Sequence, residues 1–290
     1  MLKAFIEKHK LNKGFEDTAQ NWYSPLAEQI KLHHISAERP IIVAINGCQG
    51  SGKSTLTDYL KDYLEITHGL TIACLSLDDF YFSQTERASL SEKIHPLFQT
   101  RGVPGTHDIK LAHQILAQLV GGQGKIKLPR FDKSTDNPYS VDKWPEISAP
   151  VDIIIFEGWC VGAEHQTISM LQQPVNNLES EQDPLGVWRQ YVNQQLINVY
   201  EPLYTKVDFW IMLKAPSFEN VYAWRLEQEQ KLASQSDGSA KGIMSGQQIA
   251  TFIQYYQRLT EHMLNTLPTK SDVVFELDSQ RQILARLDKD

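Results

Sequence analysis

The stretch that most constrains this chain is "PIIVAINGCQGSGKSTL", residues 40–56. Gly47 to Ser54 spell G-x-x-x-x-G-K-S, a loop whose backbone N–H groups cradle nucleotide phosphates. A proline-led apolar run ending at Asn46 leads in, and a helical pattern with Leu56, Leu60 and Leu64 on one face leads out. That strand–loop–helix order aims N–H groups and a helix dipole at a phosphate. Gly47, Cys48, Gln49, Gly50, Ser51, Gly52, Lys53, Ser54 and Thr55 are therefore the expected ATP-binding residues. Lys53 would reach the β- and γ-phosphates, and the Ser54 hydroxyl would ligate Mg²⁺.

The rest of the chain alternates in the same way. "LTIACLSLDDF", "VDIIIFEGW" (from 151), "VDFWIML" (207–213) and "DVVFEL" (272–277) read as buried strands, separated by helices near 186–203, 217–233 and 247–265. Asp108 is placed to cap another helix with Ile109, Ala112, Ile115, Leu116 and Leu119 on its apolar face. The fold class is thus α/β, the P-loop NTPase fold, with a parallel sheet and helices on both faces. Residues 1–38 form a helical N-terminal extension, 39–290 the P-loop domain, and insertions supply a lid. Two segments read as mobile loops: "TDNPYSVDKWPEISAP" and "ASQSDGSAKGIMSG".

Composition narrows the partners. A net charge of −7, with no basic run, counts against non-specific nucleic-acid binding. The apolar runs are too short to span a bilayer, and the first residues lack the apolar run of a secretory signal. Cys48, Cys74 and Cys160 lie far apart, so neither a disulfide framework nor a zinc site is expected, and a cytoplasmic location fits. Cys48 lies within the phosphate loop, where oxidation would block the nucleotide. No feature asks for more than a monomer.

Which kind of nucleotide protein is this? "TKVD" at 205–208 has the letters of a guanine-reading motif but precedes its strand instead of following it. "MSGQQ" at 244–248 resembles a transporter signature, yet Ile249, Phe252, Ile253, Tyr256, Leu259 and Met263 continue it as an amphipathic helix. Ser245 and Gln248 then form a capping box. Asp78, Asp79 and Tyr81 fall just past a strand's carboxyl end, where open α/β sheets bind ligands. A carboxylate there can take the proton of an attacking hydroxyl. Glu157, ending another buried strand, can steady Mg²⁺ beside Ser54, with Asp78 the other nearby acid.

Eight ordered stretches, "GCQGSGKST", "SLDDFY", "RGVPGTHD", "LPRFDKS", "WPE", "FEGW", "VYAWRLEQE" and "LDSQR", make the chain resemble the plant-type D-glycerate 3-kinases and related ATP-binding kinase-like proteins of fungi and bacteria. These belong to the wider group of phosphoribulokinase, uridine kinase and pantothenate kinase. The resemblance runs from about Ile41 to Arg281 and is weakest in the first 38 residues and in 162–200. It implies a five-stranded parallel core, ATP with Mg²⁺, and phosphoryl transfer to a small hydroxylated metabolite. It makes Asp78 the base and leaves Asp79 and Tyr81 to shape the acceptor pocket. Arg101 and His107 in "RGVPGTHD", and Arg130, Asp132 and Lys133 in "LPRFDKS", become acceptor-site candidates, with Arg101 suited to a small acid's carboxylate. Arg225 becomes the candidate to stabilise charge on the transferring group, and Trp224 is assigned to packing.

The chain also departs from the plant pattern. The helix after the flexible segment reads "QYYQRLTEH" where plant-type enzymes carry R-Y-x-P-x-Y-K. The acceptor therefore stays open: D-glycerate, another alcohol such as a nucleoside or pantothenate-like molecule, or none, if the chain is an ATP-binding regulatory protein.

Overall fold

The structure, a computed structural model, describes residues 1–12, 14–235 and 244–289. Among these residues the strands are β1 (Ile41–Gly47), β2 (Ile72–Ser76), β3 (Gly124–Lys127), β4 (Phe131–Asp132), β5 (Asn137–Pro138), β6 (Glu146–Ala149), β7 (Ile153–Gly158), β8 (Phe209–Lys214), β9 (Val273–Leu277) and β10 (Ile283–Asp288). The main sheet runs β10-β9-β8-β1-β7-β2. Five strands are parallel, as the resemblance implies, and β10 adds an antiparallel edge through its hairpin with β9. β1 and β7 lie side by side in the middle and are buried along their whole length. This is why both read as unbroken apolar runs and not as alternating ones.

The helix Lys53–His68 leaves the phosphate loop directly and buries Leu56, Leu60 and Leu64 completely. Gly69, at φ 67, closes it in the left-handed conformation that glycine adopts without penalty. Asp108 caps Ile109–Gly121 by accepting the Leu111 N–H at 2.8 Å. Ser245 and Gln248 form the capping box of Gly246–Thr266, so "MSGQQ" is a helix start. Asp208 accepts the N–H of Ile42 at the amino end of β1, which puts "TKVD" at the opposite end of the sheet from the phosphate loop.

The first 38 residues share the main core. Phe5 and Tyr23 pack around Tyr59 of the phosphate-loop helix, with ring centroids 5.4 and 5.7 Å apart, and Trp22 meets Phe275 of β9. Residues 162–200 are tied down by buried charge: Arg258 donates to both carboxylate oxygens of Glu179, at 2.7 and 2.6 Å.

One loop expectation is corrected. "TDNPYSVDKWPEISAP" contains β5 and β6, which pair antiparallel with β4 and β3. Of β6 only Ile147 and Ala149 are even partly buried, and two such positions are too few for a period-two pattern to show. The second segment read as mobile, 233–246, lies largely outside the described residues. No helix among the described residues is long and apolar enough to cross a membrane.

Candidate active site

Parallel pairing fixes which residues meet at the carboxyl end of the sheet. Glu157 of β7 is level with Ile45 of β1 and Ser76 of β2. Two residues past Ile45 the phosphate loop begins, and two past Ser76 comes Asp78, in a short 3-10 turn over Leu77–Phe80. Three segments remote in sequence therefore reach one place because their strands are in register.

On the nucleotide side, Gly50 (φ 79) and Gly52 (φ 96) take conformations that side chains disfavour, as a loop curling around a phosphate requires. Lys53 Nζ lies 3.9 Å from Glu157 Oε2, and Ser54 Oγ donates to Glu157 Oε1 at 3.5 Å. Gln49 Oε1, Ser51 Oγ and Glu157 Oε2 are buried without hydrogen-bond partners. Buried polar atoms are normally paired, so three such atoms on or beside the loop stand out as candidates for ligand contacts. Burial, joined by the Asp78 charge, pushes the Glu157 carboxyl up, while Lys53 pulls it down. Burial also drives the Cys48 thiol up to about 12 against the pull of Lys53. A buried, protonated thiol is a poor nucleophile.

On the acceptor side, Asp78 is half-buried and accepts from Lys133 Nζ at 2.6 Å and from the Tyr81 hydroxyl at 3.0 Å. Burial alone would raise its carboxyl, but Lys133 and Lys53 outweigh that and hold it down to about 2. The group is a carboxylate throughout the physiological range. Tyr81 stacks on His107 at 4.4 Å, in a short bridge between 80–82 and 106–108. The Tyr200 hydroxyl accepts from Gly105 N–H and lies 2.6 Å from His107 Nδ1. Burial lowers His107 to about 3, although Asp78 pulls the other way, so the ring is neutral. Its Nε2 is buried and has no partner.

Of the remaining candidates, Asp79 and Arg130 pair with each other and the rest are engaged by neighbouring residues. Asp79 takes Arg130 Nη1 and the Phe131 N–H, both at 3.2 Å. Arg101 pairs with Asp136 and lies over the rings of Phe131 and Tyr81, at 5.5 and 6.0 Å. Asp132 is engaged in its own hairpin: its oxygens take Ser134 N–H, Ser134 Oγ and Thr135 Oγ1. Arg225 pairs with Glu229 at 2.7 Å, one helical turn on, and lies over Phe252. An i, i+4 carboxylate on the same helix holds that guanidinium beside its own helix.

Several residues that shape the site were not singled out from sequence. Asp136 joins Arg101 to the buried Arg87. Trp159 donates to Gly102 O at 3.0 Å, and Tyr256 stands where a Gly102 side chain would be, anchoring the loop 101–108. Arg281 donates to the Gly50 carbonyl at 2.8 Å. Arg281 ends the "LDSQR" stretch, the one signal that pointed to it. Asp136 sat inside a segment read as loop.

No family model matches the chain. It is 33% identical over 241 residues to the uncharacterized kinase mug58 of Schizosaccharomyces pombe, across 80% of the chain and 84% of that protein. It is 30% identical over 276 residues to the chloroplastic D-glycerate 3-kinase of Arabidopsis thaliana, across 88% of the chain but only 57% of that enzyme. The solved D-glycerate 3-kinase of Cryptococcus neoformans superposes with a TM-score of 0.74 at 26% identity, over 91% of this chain and 99% of that one. The chain belongs to the family of P-loop kinases that holds mug58 and the plant D-glycerate 3-kinase, and it is an ATP-dependent small-molecule kinase.

Proposed function

We propose that this kinase transfers the γ-phosphoryl group of ATP to a hydroxyl of a small hydroxy acid, D-glycerate first. One observation carries the reading: a half-buried carboxylate, Asp78, is kept ionised between Lys133 and Lys53 at the sheet end that holds the phosphate loop. The acceptor oxygen attacks the γ-phosphorus, its O–H proton passes to Asp78, the bond to the β–γ bridging oxygen breaks, and ADP leaves. Lys53 offsets charge on the phosphates, and Gly47–Thr55 hold them.

The cationic acceptor side suits an anionic substrate. Lys133 is 60% exposed and can turn from Asp78 toward an incoming carboxylate. Asp136 engages one of the five N–H donors of Arg101, and the others remain for a ligand. Arg130 and Asp79 would frame the pocket floor, with Tyr81 and the uncharged His107 as its walls.

Mg²⁺ fits the residues present. Ser54 Oγ and Glu157 Oε2, which has no hydrogen-bond partner, are hard oxygen donors, and the Asp78 carboxylate is close enough for its charge to act on Glu157. When bound, the ion neutralises charge on the β- and γ-oxygens. Arg225 is assigned to the same charge, on condition that it leaves Glu229.

The test is ADP release across hydroxy acids, polyols, nucleosides and pantothenate, with mass spectrometry of the product. D-glycerate should give the highest kcat/KM and a monophosphorylated acid. ADP release that never exceeds the water background with any acceptor would remove the proposal.

A further inference from the structure

The β9–β10 turn reaches the phosphate loop through Arg281, a residue no chemical step uses. Its backbone sits at φ 67, a left-handed conformation that costs a non-glycine residue about 1 kcal/mol. The turn enforces it: Asp278 Oδ1 accepts the N–H groups of Gln280 and Gln282, both at 2.8 Å, and Asp278 O accepts that of Arg281 at 3.0 Å. Strain upheld this way marks a side chain that must point in one direction.

That direction is the second glycine of the loop. Arg281 Nε donates to Gly50 O at 2.8 Å, Nη2 pairs with Glu227, and the guanidinium lies 5.3 Å from the Trp224 ring centroid. Trp224 is buried, donates its Nε1–H to Ser279 O of the same turn at 2.8 Å, and backs Gly50 so closely that a Cβ there would come within 2.8 Å of Trp224 Cβ. Gly50 is therefore clamped by one residue from the Phe218–Gln235 helix and one from the last hairpin.

The clamp matters because Gly50 and Gly52 both sit at positive φ, where glycine rotates freely. A turn of the Gly50–Ser51 peptide would swing its carbonyl dipole into the cradle and oppose the phosphates. The N–H of that peptide makes a neutral bond to Cys48 O at 3.2 Å. The bond from Arg281 is charge-assisted and the stronger restraint.

We propose that Arg281, backed by Trp224, is a positioning residue for the nucleotide: it holds the Gly50 carbonyl out of the cradle, so the loop is shaped before the triphosphate arrives. This rests on the loop being the ATP site and not on which acceptor is used. The test is calorimetric ATP titration without acceptor, with steady-state kinetics beside it, on the wild-type chain, Arg281→Met and Arg281→Lys. Arg281→Met should raise Kd and KM for ATP about tenfold and leave the acceptor KM unchanged. Arg281→Lys, which can still donate to Gly50 O, should recover part of the loss. ATP affinity within twofold of wild type in Arg281→Met, or equal losses for ATP and acceptor, overturns the proposal. If Arg281→Met does not fold, Arg281→Lys carries the test, with about a threefold rise in ATP Kd expected and no change overturning it. Wild-type protein that binds ATP but phosphorylates nothing would remove the function proposed above and leave this measurement intact.

Discussion

The nucleotide side and the acceptor side meet near Asp78, yet they are built in opposite ways. The phosphate loop is one continuous segment, and Gln49 Oε1, Ser51 Oγ and the neighbouring Glu157 Oε2 lack hydrogen-bond partners, although Lys53 stands 3.9 Å from the last. The acceptor side gathers 78–81, 101–108 and 130–136, and most of its charges are paired: Asp78 with Lys133, Asp79 with Arg130, Asp136 with Arg87 and Arg101. On the proposed reading, the nucleotide half can be left with open polar atoms, since the same triphosphate would complete it each time. Short segments from separate parts of the chain must be tied together first, and ion pairs do this while leaving spare donors for a small molecule. The difference explains why one half announces itself in sequence and the other does not.

If the two halves are separable, variants should divide the kinetics. Asp78→Asn should lower kcat by about 10²- to 10⁴-fold with ATP affinity largely kept. Near-normal transfer would remove Asp78 as the base and blur the division. Gly50→Ala places a Cβ against Trp224 at φ 79, and ATP affinity should fall about 10- to 100-fold while the acceptor KM holds. A parallel loss of acceptor affinity would mean that the halves are coupled through the loop. Asp136→Ala strips a partner from the buried Arg87 and frees Arg101. The acceptor KM should rise several-fold and the melting temperature drop, a loss of about 1–3 kcal/mol, with ATP binding unchanged.

The last prediction concerns pH dependence, and it touches stability and not the kinetics. His107 is neutral when folded, with its pKa lowered from 6.5 to about 3, so below 6.5 the unfolded chain binds a proton that the folded chain refuses. Stability therefore falls with acid between those values, by at most about 1.4 kcal/mol per pH unit. Asp78 adds a loss of the same sign only between 3.8 and about 2, where the unfolded carboxyl is protonated first. Melting curves from about pH 7 to pH 4 should slope less in His107→Gln than in wild type. Identical slopes would remove His107 as the source of the acid sensitivity.

Much of the fold was legible because it rests on local rules. The apolar runs of β1 and β7, the Leu56–Leu60–Leu64 stripe, the Asp108 cap and the Ser245–Gln248 box depend on neighbours within a few residues, and each appears in the structure as read. β5 and β6 were missed because they are short and their partners lie before them in the chain. Arg225 and Asp132 were placed by motif, and the structure gives each a nearer partner, Glu229 and the 134–135 turn.

The sequence alone therefore determined what is encoded contiguously: a phosphate loop between strand and helix, an acid past the second strand, and a parallel α/β order. Only the tertiary structure decided which charges are already engaged. It set Lys133 on Asp78, Arg101 on Asp136 and Arg281 on Gly50. These pairs join residues 35 to 231 positions apart. No spacing rule reaches that far, because the distance between two side chains is fixed by how the sheet brings its strands into register and not by the chain that separates them.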